Sequence, residues 1–103
     1  MADKVRLNGG PEETVSWIWL DPPARGQLKV EFYDFSELAQ RMFGNDIAYL
    51  LTVDDMSRLL LVAGQDETSL IPWVSENFKS YFEIKRWLED KEVAFSLEID
   101  SWA

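Results

Sequence analysis

Apolar positions along this chain switch between a period of two and a period near 3.6, and the switches divide it into elements. Thr14–Leu20 (TVSWIWL) and Gln27–Phe35 (QLKVEFYDF) read as strands, and the intervening Asp21–Gly26 (DPPARG) is turn chemistry. Pairing Leu20 with Gln27 sets Trp19 opposite Leu28, Trp17 opposite Val30 and Val15 opposite Phe32. All six apolar side chains then share one face. This register predicts Trp17 and Trp19 in the core, with Ile18 on the other, mixed face beside Lys29, Glu31 and Tyr33.

The next segment places Phe35, Leu38, Ala39, Met42 and Phe43 at helical spacing. Asp34 and Glu37 have capping-box spacing and Gly44 supplies a stop. Asp46–Val53 (DIAYLLTV) is a continuous apolar run, read as a buried central strand. Two readings compete for residues 54–63. A helix places Met56, Leu59, Leu60 and Ala63 between an Asp cap and Gly64, whereas a strand would span Arg58–Ala63. The presence of both end signals favours the helix.

Pro72 fits only the first turn of a helix, and Ser80 with Glu83 marks a second start. Two helices over about 69–78 and 81–91, or one bent helix, follow. On the second, Tyr81, Ile84 and Leu88 form the apolar stripe with Phe78 and Phe82 beside it. Lys79, Glu83, Arg86 and Asp90 alternate in charge on the opposite face. Trp87 lies off the apolar centre. The last segment, AFSLEIDSW, alternates with Phe95, Leu97 and Ile99 facing in and Ser96, Glu98, Asp100 and Trp102 facing out.

The order β-β-α-β-α-α-α-β predicts an α+β fold. It is a single small domain with a sheet of about four strands, mostly antiparallel or mixed, and helices packed on one face. Residues 1–12, with Gly9, Gly10 and Pro11, read as a flexible N-terminal arm, and residues 13–103 as the domain.

Composition narrows the chemistry. The 103 residues are 47% hydrophobic, enough for one modest core. Histidine and cysteine are both absent. That removes imidazole bases, His-dependent triads, thiolate nucleophiles, disulfides, and zinc or iron sites built on His or Cys. No apolar run approaches ~18 residues and the first residues hold no apolar h-region, so a membrane span and a secretory signal are not expected. A cytoplasmic location is expected.

The net charge of −9 is uneven: residues 1–42 hold seven acids and five bases, and residues 43–103 hold twelve acids and five bases. A surface of this sign repels nucleic acid and anionic lipid and favours a basic protein surface. No phosphate loop, nucleophile elbow, Ser-x-x-Lys spacing or EF-hand pattern is present, and no cofactor or metal is expected. Glu98 and Asp100 are two hard oxygen ligands two residues apart, fewer than a cation site needs, and they serve equally as a charged edge against aggregation.

Between Phe43 and Phe78 six acids meet one base, Arg58. Asp54, Asp55, Asp66 and Glu67 have the positions of helix caps and loop solubilisers, and with Trp73 and Trp87 they also have the composition of an acidic rim around an aromatic anchor. Tyr33, Glu98, Asp100 and Trp102 form a second candidate surface on the open sheet face. The sequence therefore favours a small acidic non-enzymatic protein-interaction module: an inhibitor, an immunity-type protein or an accessory subunit for a basic partner. The alternative is a small carboxylate-dependent enzyme or ligand-binding domain using Tyr33 and Tyr81 in a pocket between sheet and helices. A raised carboxylate pKa in a concave pocket discriminates the two. Monomer and homodimer are equally compatible with the sequence.

Overall fold

The computed structural model describes residues 4–7, 9, 14–21, 26–35, 41 and 46–102, with the backbone alone at 46, 47 and 100–102. Strands β1 (Val5–Leu7), β2 (Thr14–Asp21), β3 (Gln27–Asp34) and β4 (Asp46–Val53) come first. Helices α1 (Met56–Ala63), α2 (Leu70–Asn77) and α3 (Tyr81–Asp90) follow, and β5 (Phe95–Trp102) closes the order. The strands form one antiparallel sheet in the order β1-β2-β3-β4-β5. The fold is α+β as expected, with five strands where about four were predicted.

The additional strand lies inside the segment read as a flexible arm. Val5–Leu7 pairs with β2, and Leu7 is buried. Just beyond it, the Gly9 amide donates to the Lys79 carbonyl at 2.7 Å. A Cβ at position 9 would stand 2.5 Å from the Lys79 Cβ, so the approach requires glycine. Of the helix expected over Phe35–Phe43, only Phe35 and Arg41 are described. Arg41 is helical, Phe35 is outside regular structure, and the other positions, with Gly44, lie outside the described residues.

The β2–β3 register differs from the expected one by one residue. Asp21 pairs with Gln27, Leu20 with Leu28, Ile18 with Val30 and Ser16 with Phe32. Because side chains alternate, the shift moves Ile18, not the tryptophans, into the core. Ile18, Leu28 and Val30 are fully buried with Leu51 and Val53 of β4. They pack against Leu59 of α1, Leu70 and Val74 of α2, and Tyr81, Ile84 and Leu88 of α3.

Trp17 and Trp19 stand on the opposite face, opposite Glu31 and Lys29. Trp17 is half-buried, while Trp19 is buried there with the Lys4 ammonium 4.3 Å from its ring centroid. Lys4 also lies 3.7 Å from a Glu31 carboxylate oxygen. The Lys4 side chain thus covers aromatic surface on the sheet face away from the core.

Ser16 explains why the pattern misleads. Its side chain is polar yet 1% exposed, and its Oγ accepts the Tyr81 amide at 2.9 Å. That amide is one of the unpaired donors at the start of α3, where Ser80 makes no side-chain cap.

At α1 both end signals act as predicted, whereas the predicted Ser80 cap of α3 does not form. Asp55 Oδ1 accepts the Arg58 amide at 3.1 Å, and Gly64 takes the left-handed conformation with φ of 67°. α3 ends on a left-handed Glu92, with the Val93 amide donating to Leu88 and the Glu92 amide to Glu89. Among the described residues no helix is long and apolar enough to cross a membrane.

Two substitutions test this core. Ile18→Ala is expected to cost roughly 2–5 kcal/mol in urea unfolding, and Trp17→Ala distinctly less; the reverse ranking overturns the observed register. Ser16→Ala leaves the Tyr81 amide buried without its acceptor and is expected to cost about 1–3 kcal/mol.

Candidate functional site

Among the described residues, the main helix-to-sheet contacts fall on the first three strands. α2 lies over β1 and β2, and α3 lies over β3. β5 is held at its start, where Asp54 and Asp55 amides donate to the Ala94 carbonyl and the Ser96 hydroxyl donates to Asp54 at 2.6 Å. Arg58 reaches across from α1 and donates to the Lys91 and Glu92 carbonyls at 2.8–3.1 Å, fixing the turn that feeds the strand.

Phe95, Leu97 and Ile99 pair with Val53, Leu51 and Tyr49, so they do share the helix-side face. All three face inward as expected, but their burial is lost along the strand. Phe95 is half-buried, but Leu97 is 46% and Ile99 70% exposed. Across from them on α3, Phe82 is 46% exposed.

The space between is a groove of about 260 Å³. Its floor and helix wall are Tyr49, Tyr81, Phe82 and Lys85, and its other wall is the stretch Leu97–Ile99. An aromatic cluster stiffens the floor. Phe32 lies 5.6 Å from both Tyr49 and Tyr81 and 4.8 Å from Phe82, centroid to centroid. Lys85 leans back to Glu89 at 3.4 Å.

Tyr81 brings a displaced acidity to this groove. Burial, reinforced by Tyr49 and Glu89, pushes the Tyr81 hydroxyl up to about 12. A general base or nucleophile at neutral pH needs displacement in the other direction. Asp66, the carboxylate beyond α1, is held below the usual range first by the Thr68 hydroxyl at 2.6 Å, then by the Ser69 amide. That is the environment of a capping anion, not of a proton donor. Among the described residues no group of three or more carboxylates converges on a metal-binding position. The groove is also smaller than the ~300–1,000 Å³ usual for small-molecule sites, and it is open along Leu97 and Ile99.

The structure does not gather the six residues of the first candidate surface. Asp54 and Asp55 stand at the start of α1, and Asp66 and Glu67 follow its end, about 12 Å away for an eight-residue helix. Trp73 and Trp87 do meet, at 5.6 Å, and Phe78 closes the trio. All three are partly buried at the core margin between α2 and α3, which is a packing role.

Of the second surface, Tyr33 is half-buried beside Phe35, and Glu98 is exposed opposite Leu50. The side chains of Asp100 and Trp102 lie outside the described residues. Leu97, Ile99, Phe82 and Lys85 were missed as site residues. Strand alternation marks the first two as apolar, but only the position of α3 leaves them uncovered.

Comparison with protein-family models, with curated proteins and with solved structures returns no match.

The Tyr81 environment has a spectroscopic consequence. A folded pKa raised above the ordinary tyrosine value of 10.0 contributes stability that is complete below pH 10 and is lost as pH rises toward 12. Absorbance titration near 295 nm should show a late tyrosinate step near pH 12 that disappears in Tyr81→Phe. A late step surviving that substitution overturns the assignment.

Proposed function

We propose that this protein is a non-enzymatic interaction module that binds a basic protein, as an inhibitor, immunity-type protein or accessory subunit. The observation that carries the reading is the uncovered apolar strip of Leu97, Ile99 and Phe82 beside an acidic strand, in a chain of net charge −9. Exposed apolar surface rimmed by one sign of charge is the composition of an interface.

The charge and the strip divide the work. Asp54, Asp55, Asp66 and Glu67 are exposed and carry long-range attraction, which acts on the association rate. The apolar strip supplies contacts that hold the complex and acts on dissociation. Trp73 and Trp87 support the fold behind it.

Affinity capture with the immobilised protein, at salt of about 0.1 M and about 1 M, tests the reading. The Debye length falls from about 10 Å to about 3 Å between these conditions. The expected result is a basic protein retained at low salt, whose association slows when Asp54, Asp55, Asp66 and Glu67 are replaced together by Asn and Gln. Binding that is indifferent to both salt and these replacements overturns it.

A further inference from the structure

The two edges of the sheet are built differently. β1 has only three residues, and the sequence around it, Lys4–Leu7, alternates basic and apolar. Short length and basic charge are the ordinary protections of a sheet edge. β5 has eight residues, contains neither Lys nor Pro, and among the described residues no strand pairs with its outer side. Its unpaired backbone groups are a template for one more strand.

The side chains along that edge specify what the strand should carry. On the helix side, Leu97 and Ile99 are exposed and continue into the groove below Phe82. On the opposite side Glu98 ends a cross-sheet row of Arg6, Trp17, Glu31, Leu50 and Glu98. The strand sequence adds Asp100 and no base. An incoming strand alternates faces as β5 does, so its apolar residues would meet Leu97 and Ile99 while an intervening residue meets Glu98.

We propose that the outer edge of β5 receives an extended segment of the partner protein, one that alternates apolar and basic residues and adds a sixth strand to the sheet. The apolar residues settle along Leu97 and Ile99 against Phe82, and a basic residue faces Glu98. A second copy of this chain is the poorer occupant because it brings the same charge of −9. The inference rests on the interaction-module reading and names the partner's binding segment.

The test uses capped, fluorescein-labelled octapeptides with the whole protein at about 0.1 M salt. One peptide alternates Ile and Lys, one has the same residues in two blocks, and one alternates Ile and Glu. Anisotropy gives affinity, and amide hydrogen exchange locates the contact. The alternating Lys peptide is expected to bind at least about tenfold more tightly than the block peptide and to protect β5 amides. Ile99→Thr and Glu98→Lys are each expected to weaken it by about tenfold or more. Both side chains are exposed, and unfolding curves confirm that the variants remain folded.

Equal binding of alternating and block peptides reduces the effect to charge and overturns the proposal. Protection elsewhere, or a doubled mass of the free protein with β5 amides already protected, also overturns it. If a captured basic partner still binds both variants at full affinity, the edge assignment falls while the module reading stands.

Discussion

The helix side of this molecule depends on one parity in the sheet. Ser16, Ile18 and Leu20 of β2 share a face with Leu28, Val30 and Phe32 of β3 and with Leu51 and Val53 of β4. Strand side chains alternate strictly, so shifting β2 by one residue would bring Trp17 and Trp19 under the helices and expel Ile18. The apolar area of Ile18, Leu28, Val30, Leu51 and Val53, all fully buried, is what the three described helices close over.

That parity also fixes where α3 begins. Ser16 can accept the Tyr81 amide only because it lies on the core face, and the bond sets the first turn of α3 over the middle of the sheet. At the other end Arg58 holds the Lys91 and Glu92 carbonyls, tying α3 to α1 before the chain turns into β5. With both ends pinned, α3 lies over β3 and leaves Leu97 and Ile99 exposed. The groove between Phe82 and Ile99 is therefore a consequence of how the helix layer is fastened, and not a separate feature of the last strand.

The charge acts on the same arrangement. The acids around α1 have local partners: Asp54 with Ser96, Asp55 with the Arg58 amide, Asp66 with Thr68 and Ser69. These bonds account for their positions and leave their charge facing solvent. At β5, by contrast, Leu97 and Ile99 are exposed, and among the described residues no strand pairs with its outer edge.

Local chemistry alone determined much of this protein. Asp55 and Gly64 bound α1 because each acts within a few residues of the backbone it satisfies, Pro72 falls in the first turn of α2, and the run Asp46–Val53 is a strand. Tertiary structure decided the rest. β1 is a strand because β2 offers it hydrogen bonds, not because Val5–Leu7 prefers that state on its own. Ser16 reads as an outward residue until its donor, Tyr81, arrives from the far end of the sequence. Leu97 and Ile99 read as core until α3 is in place, since alternation tells which face a side chain takes but not whether anything covers that face.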